Sequence, residues 1–306
     1  MRKIRLVFNF VLFLSISFQV NAQWFWQNSS PPNTIYSYIC FIDSNYGWVG
    51  GHDLLNLKGV IARTTNSGTN WSFDFYDDFW GISSISFVDT LTGWAVGQNN
   101  PDTAQVYGYF IYKTTNGGRD WIRQLVASDR LLWSVKFIDS NTGWAVGQDI
   151  IKTTDGGNTW QIQLSDSIIL NSADFITSEI GWAVGWNDVI LKTSNGGTEW
   201  LYQRNNPGKR LNSVKFINEN IGWAVGDSGR ILKTIDGGFN WFLQRNGTTD
   251  QLFSVSFIDE NNGWVTGVNE DGQTMIYVLL KTTTGGNSWE DQVLPDNPLS
   301  YALKDN

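Results

Sequence analysis

The segment SVKFIDSNTGWAVGQDIIKTTDGGNTWQIQL, Ser134–Leu164, predicts the fold of the chain. It contains four short runs, SVKFI, WAVG, IIKTT and WQIQL, and polar turns such as DSNTG and DGG separate them. Val135 and Phe137 alternate with polar neighbours, and the runs are rich in β-branched and aromatic residues, a pattern typical of strands. The segment therefore predicts four antiparallel strands and no helix.

This segment recurs along the chain. SVKFIDSNTGWAVG has close copies that begin at Ser213 and Ser254, and looser copies that begin at Tyr38, Ser84 and Ser172. The GW pair of each copy contributes one tryptophan: Trp48, Trp94, Trp144, Trp182, Trp223 and Trp264. A period of about forty residues with four strands per repeat is typical of β-propeller blades, whereas the coils of a β-solenoid are usually shorter. The sequence predicts an all-β propeller of the WD40/YVTN-like kind, with six full four-stranded blades.

The two ends of the chain predict a partial seventh blade. WFWQ, at Trp24–Gln27, repeats the W-x-x-Q start of the fourth strand, although no blade precedes it. LSYALKD, near the other end, aligns with FSVSFID of the sixth copy and places Ser300 on Ser254. We expect the N-terminal and C-terminal strands to close the ring as parts of one blade whose middle strands are missing from this sequence.

The loop TTDGGNTW has one counterpart in every repeat. Its third position varies among Asn66, Asn116, Asp155, Asn195, Asp236 and Thr284. A catalytic acid or a metal-bound carboxylate would lose its role on such changes. An oxygen that accepts a backbone N–H across a turn would survive them. The glycines permit positive φ, and a tryptophan that packs over the turn ends each loop: Trp71, Trp121, Trp160, Trp200, Trp241 and Trp289. The loop is therefore predicted to be structural.

These residues carry a resemblance to known families. The pattern T-x-[DN]-x-G-x-x-W resembles the Asp-box, or bacterial neuraminidase repeat, of sialidase-like propellers. Together with GWAVG and LKT, it is similar to the photosystem II stability and assembly factor family and its secreted bacterial relatives. The resemblance covers nearly all of the chain after the first 22 residues. It implies a seven-bladed propeller that binds proteins during assembly and has no catalytic activity.

The first 22 residues have the pattern of a secretory signal peptide. MRKIR supplies a positive start, LVFNFVLFLSISF an apolar run too short to span a membrane, and VNA a cleavage site. We expect cleavage after Ala22 and export to the periplasm, the cell surface or the medium. Residues 23–306 would then form one propeller domain, truncated in its seventh blade.

Charge and cysteine content restrict the partners. The formal net charge is −8, and loss of Arg2, Lys3 and Arg5 with the signal peptide takes it to −11. An acidic protein repels nucleic acid and anionic lipid surfaces, so we expect neither partner and no membrane insertion. Cys40 is the one cysteine, so no internal disulfide can form, and we expect its side chain to be partly buried.

Motifs of catalysis are missing from the sequence. The R-I-P segment of sialidases, the D-x-[DN]-x-[DN]-G calcium loop and phosphate-binding glycine loops do not occur. His52 and Cys40 are the one histidine and the one cysteine, so metal and nucleophile sites have few candidates. We predict a non-catalytic scaffold with no metal and no cofactor that binds a protein. A glycan-binding or sialidase-like glycoside hydrolase propeller is the alternative, and the oligomeric state stays open.

Loop length indicates where a partner binds. The connection between the second and third strands is short in blades three, four and five, and long in blades one, two and six. On a closed ring the long loops form one arc, to which the crossovers between blades add aromatic and charged side chains. Such mixtures are typical of binding surfaces. The predicted contact residues are His52, Asp53, Asp77, Asp78, Trp80, Arg130 and Trp133.

Overall fold

The computed structural model describes residues 33–77, 79–99, 108–127, 130–166, 168–244, 249–270 and 275–292. Six four-stranded sheets lie in a ring and form the six predicted blades, which confirms the all-β propeller. The strands predicted for a seventh blade, Trp24–Gln27 and Ser300–Asp305, lie outside the described residues, as does the predicted signal peptide.

Each blade is an antiparallel sheet whose strands follow one another in sequence order. Blade one consists of β1 (Thr34–Phe41), β2 (Gly47–Asp53), β3 (Lys58–Thr64) and β4 (Ser72–Tyr76). Blade two consists of β5 (Phe79–Phe87), β6 (Gly93–Asn99), β7 (Tyr109–Thr114) and β8 (Ile122–Ala127). Blade three consists of β9 (Leu132–Phe137), β10 (Gly143–Gly147), β11 (Asp149–Thr153) and β12 (Gln161–Ser165).

The other three blades repeat this order. Blade four consists of β13 (Leu170–Phe175), β14 (Gly181–Gly185), β15 (Ile190–Thr193) and β16 (Leu201–Arg204). Blade five consists of β17 (Leu211–Phe216), β18 (Gly222–Gly226), β19 (Arg230–Thr234) and β20 (Phe242–Gln244). Blade six consists of β21 (Gln251–Phe257), β22 (Gly263–Glu270), β23 (Met275–Thr282) and β24 (Glu290–Asp291). The helical content of the described residues is one 3-10 turn (Trp186–Asp188) between β14 and β15.

The first strand of each blade lies nearest the axis of the ring. First strands of successive blades contact one another, from β1 with β5 to β17 with β21. Each blade therefore buries both faces of its sheet against its neighbours, which is why every repeat carries apolar residues on both faces of its second strand.

The tryptophan of each GW pair joins its blade to the next one. The ring of Trp144 in blade three stacks on Phe175 of blade four, with ring centroids 3.7 Å apart, and its Nε1 donates to the carbonyl oxygen of Gly196 at 3.3 Å. The five joints between described blades share this arrangement, with centroid distances of 3.4 to 3.7 Å. A buried aromatic ring contributes a few kcal/mol to stability, so these five stacks form a large part of the core.

The glycine of each GW pair is required by this packing. The ring of Phe137 lies between Trp94 of the preceding blade and Gly143 of its own blade. A Cβ atom at Gly143 would lie 2.5 Å from that ring, so a side chain there would displace the phenylalanine from its stack.

Each Asp-box loop is held by hydrogen bonds within the loop. In blade three, the Oδ1 of Asp155 accepts the N–H of Thr159 at 2.9 Å, and the Oγ1 of Thr153 accepts the N–H of Gly157 at 2.9 Å. The residue at the third position makes the first of these bonds in all six blades, at 2.9 to 3.0 Å, whether it is Asn, Asp or Thr. The hydrogen bonds that the Asp155 carboxylate accepts, from the Thr159 N–H first and then from the Thr159 and Thr153 hydroxyls, lower its pKa to about 2.

The antiparallel order gives the disc two distinct faces. The Asp-box loops and the turns between first and second strands lie on one face, which we call the box face. Backbone hydrogen bonds join these loops to these turns: in blade three, the N–H of Gly156 donates to the carbonyl oxygen of Asn141 at 2.8 Å. The hairpins between second and third strands, together with the crossovers between blades, lie on the other face, which we call the crossover face.

Candidate functional site

The crossover face carries a different side-chain pair at each of three joints between blades. At the joint between blades one and two, the rings of His52 and Trp80 lie 5.6 Å apart. At the next joint, the rings of Tyr109 and Trp133 lie 6.4 Å apart. Both predicted tryptophans therefore lie in grooves between blades, where they are partly buried. Burial lowers the pKa of His52, so its imidazole is neutral at neutral pH.

The predicted acidic contacts differ in their exposure. Asp53 is buried, and its carboxylate accepts the N–H groups of Leu55 and Asn56 and the side-chain amide of Asn56, so it fixes the conformation of its own hairpin. Asp77 is exposed and pairs with Lys58 at 2.5 Å. Asp78 lies outside the described residues.

Arg130 lies at the start of blade three, on the crossover face. Its guanidinium pairs at 3.7 Å with Asp149, a buried carboxylate at the tip of the hairpin of the same blade. Nearly half of the Arg130 side chain stays exposed, so it can still meet a partner.

The crossover face of blades four and five carries an aromatic residue that the loop-length argument missed. Trp186 forms part of the short hairpin of blade four and is 45% exposed. The guanidinium of Arg210, from the crossover into blade five, lies over this indole at 5.2 Å from the ring centroid and pairs with Asp227 at 3.7 Å. The sequence signal for this residue is a tryptophan in the hairpin of blade four, WND, where the corresponding hairpins of blades three and five read QD and DSGR.

A buried carboxylate holds this surface together. Asp188 is 1% exposed and pairs with Arg204 of its own blade and with Arg230 of blade five, the latter at 2.5 Å. Asn187 and Asp188 have φ values of 57° and 59°, a left-handed conformation that Asn and Asp tolerate in tight hairpin turns. Ion pairs to two blades therefore fix a tight hairpin that leaves Trp186 at the surface.

These residues together form a surface suited to recognition. Aromatic rings lie at three joints of the crossover face, with Arg130 near the second and Arg210 at the third, and such residues are enriched at the centres of interfaces. The buried carboxylates are engaged in ion pairs or in their own loops. Among the described residues, no group of three His, Cys, Asp or Glu side chains could hold a metal ion.

Comparison with models of protein families identifies the family of the chain. Residues 114–212 and 203–300 match the family model described as photosynthesis system II assembly factor YCF48. The chain belongs to the YCF48 family. The two matched segments together span more than half of the sequence and include the GW and Asp-box repeats of blades three to six.

Solved structures of YCF48 share the fold of this chain. A structure described as YCF48 bound to D1 peptide superposes with a TM-score of 0.65 at 19% identity, over 86% of this chain and 82% of that one. YCF48 from Cyanidioschyzon merolae has a TM-score of 0.65 at 17% identity, over 89% of this chain and 87% of that one. At these identities the likeness shows the fold alone.

The same fold occurs in glycoside hydrolases. The GH74 xyloglucanase from Xanthomonas campestris matches with a TM-score of 0.66 at 11% identity, over 89% of this chain but only 47% of the enzyme. No curated protein matches the sequence. Among the described residues of this YCF48-family chain, no helix is long and apolar enough to cross a membrane.

Proposed function

We propose that the chain is a non-catalytic propeller that binds a protein partner on its crossover face. The observation that carries this proposal is the hairpin of blade four, which presents the half-exposed indole of Trp186 beneath Arg210. Tryptophan and arginine dominate the binding energy of interfaces.

Two further observations support a protein partner. A YCF48 structure is described as bound to a D1 peptide, so a propeller of this family binds a polypeptide. The acids of the crossover face in blades three to five are occupied by arginines, whereas glycosidases need two carboxylates placed across a cleft. Both favour a binding role over a catalytic one.

The binding surface extends beyond blade four in this proposal. The His52–Trp80 and Tyr109–Trp133 pairs lie in successive grooves of the same face, and Arg130 stands beside the second of them. An extended polypeptide that lies across these two grooves would contact one aromatic pair in each groove. Side chains of several blades would then contribute to its binding.

Export is part of the proposal. The signal peptide pattern predicts that the native host delivers the protein beyond the cytoplasmic membrane with Gln23 as its first residue. Intact mass of the protein from fractionated native cells tests this expectation. A species that retains Met1 would contradict it.

Capture from native extracts on the immobilised protein, followed by affinity measurement with the purified partner, tests the binding surface. Trp80→Ala, Trp133→Ala and Trp186→Ala should each weaken binding by more than about 1 kcal/mol, because they remove aromatic anchors. Arg119→Ala and Glu199→Ala change exposed residues of the box face and serve as matched controls without effect. Loss of binding in the controls alone would place the partner on the box face instead.

A glycan ligand is the second candidate function. The fold likeness to a xyloglucanase and the exposed indole of Trp186 favour it, since aromatic rings also stack on sugars. A glycan array and an assay for cleavage of xyloglucan distinguish the two functions. We expect neither binding nor cleavage, and saturable binding of an oligosaccharide that Trp186→Ala abolishes would replace the protein partner with a glycan.

A further inference from the structure

One position of the first strands forms a layer of side chains around the axis of the ring. In each blade, this residue pairs directly with the tryptophan of the GW motif, for example Lys136 with Trp144. First strands lie nearest the axis, so the six residues belong to the same layer of the central channel. They are Cys40, Ser86, Lys136, Asp174, Lys215 and Ser256.

Three members of the layer bind the next blade through an acceptor atom. The Oγ of Ser86 accepts the N–H of Phe137 at 3.0 Å, and the Oδ2 of Asp174 accepts the N–H of Phe216 at 2.9 Å. The sulfur of Cys40 is likewise hydrogen-bonded to the backbone of Phe87. These residues hold neighbouring blades together, and an acceptor is the chemical requirement for that role.

Lys136 and Lys215 depart from this requirement, because an ammonium group has no acceptor. Both instead donate to the carboxylate of Asp174, at 3.3 Å and 3.1 Å. Positions where a repeat breaks its own structural rule are expected to serve function. The two lysines are therefore better candidates for a binding role than the serines of the same layer.

The charge of the cluster favours an anion. Two ammonium groups share one carboxylate, which leaves one uncompensated positive charge in a protein whose formal net charge is −8. Asp174 is nearly buried, whereas one third of each lysine side chain stays exposed. Asp174 also raises the pKa of Lys136, so this ammonium keeps its charge at neutral pH. Each ammonium has three protons, and the ion pair with Asp174 occupies one of them.

We propose that Lys136 and Lys215 form a binding site for a compact oxyanion, a carboxylate or a phosphate, in the central channel. Asp174 already spans the two ammonium groups with its two oxygens. A second group of the same shape can bridge them from the exposed side, where their remaining protons are available. This site is independent of the crossover face and of the partner proposed there.

Isothermal titration calorimetry with inorganic phosphate and with succinate, at constant ionic strength, tests the site. We expect saturable binding at millimolar concentrations, and at least tenfold weaker binding for Lys136→Met and for Lys215→Met. Lys113→Met is the matched control, since Lys113 stacks on Trp94 away from this layer, and it should bind like the unchanged protein. Thermal melts of each variant check that it folds.

Asp174→Asn gives a test of opposite sign. Removal of the carboxylate leaves two uncompensated ammonium groups, so we expect phosphate and succinate to bind at least threefold more tightly. If this variant does not fold, the lysine variants still decide the question. Equal affinity in the unchanged protein and both lysine variants, or no saturable binding, would overturn the site. Binding of phosphate without succinate would restrict it to phosphate.

Discussion

On the box face, each joint between described blades closes in the same way, whereas on the crossover face no two of the characterised joints are alike. The box-face joint unites an indole with a backbone carbonyl of the next blade, as in Trp144 and Gly196. The crossover-face joints include side-chain pairs that differ from joint to joint, such as His52 with Trp80 or Trp186 with Arg210. Because every repeat has a backbone carbonyl at this position, the same hydrogen bond from the indole N–H can form at every joint.

The two faces therefore differ in how freely their contacts can change. A side-chain pair on the crossover face can be replaced at one joint without loss of the stack that closes the box face. The box-face contacts must stay the same, because each tryptophan is fully or almost fully buried at the five joints. Under the proposed function, stability and recognition therefore lie on opposite faces of the ring.

The largest effect expected from this comparison is that of Trp144→Ala. It removes a fully buried indole, its stack on Phe175 and its bond to Gly196, and should cost about 3–5 kcal/mol of unfolding free energy. Urea unfolding measures this loss. Trp186→Ala is the matched change on the crossover face and should cost below about 1 kcal/mol, because it loses mainly a cation–π contact. Equal losses of unfolding free energy in the two variants would show that the two faces do not differ in their contribution to stability.

Asp188→Ala should have the next largest effect. It removes the carboxylate that pairs with Arg204 and Arg230, and hydrogen bonds to charged groups contribute about 1.5–3 kcal/mol. The same denaturant series measures the stability. Asp227→Ala is the control and should cost less, since Asp227 is more exposed and its contacts are longer, at 3.7 Å to Arg210 and 3.4 Å to the side-chain amide of Asn212. The reverse order would show that Asp188 does not hold the hairpin.

Lys152→Met should cost about 1 kcal/mol, the scale of a partly desolvated cation–π contact. The ammonium of Lys152 lies 5.1 Å from the Trp144 ring centroid and donates to the carbonyl of Gly196 at 2.8 Å, so it reinforces the box-face joint. Urea unfolding of this variant beside Arg119→Ala, an exposed control on the same face, tests the expectation. An unchanged unfolding free energy for Lys152→Met would show that the tryptophan stabilises the joint without help from the lysine.

Asp155→Asn should have the smallest effect at neutral pH, because Asn makes the same N–H bond in blades one, two and four. The bonds of the loop lower the pKa of Asp155 to about 2, below the ordinary value of about 3.9. The ionised group therefore stabilises the fold fully above about pH 4, and this contribution is lost as the pH falls towards 2.

The denaturation midpoint of Asp155→Asn should match the unchanged protein at pH 7. Between pH 4 and pH 2, the variant should lose less stability, because its side chain does not titrate. Identical acid dependence of the two proteins would contradict the role given to the Asp155 carboxylate.

Most of the fold could be predicted because its signal is local and repeated. GW and the Asp-box recur in every blade, and each reports a short-range requirement, such as the close approach of Gly143 to Phe137 or the loop bonds of Asp155. Because the same motifs occur six times, the sequence also excludes other folds that a single copy would leave possible.

The candidate site is less predictable because its contacts join different blades. Trp186 and Arg210 meet across a joint, and no pattern in the sequence relates them. Loop length favoured blades one, two and six, yet a hairpin of three residues presents an exposed indole in blade four. Asp53 was predicted to contact a partner from its position in a long loop, but its bonds to Leu55 and Asn56 depend on the hairpin conformation, which the sequence pattern does not specify.

The tryptophan bonds between blades all run in one direction along the chain. Trp48 reaches forward to Gly117 of blade two, and the series continues to Trp223, which reaches forward to Gly285 of blade six. Each blade therefore covers the indole of the blade made before it and leaves its own indole for the blade that follows. During synthesis, the newest blade would always display an uncovered tryptophan, and the arrival of the next repeat would complete it. The order of translation and the order of consolidation then coincide.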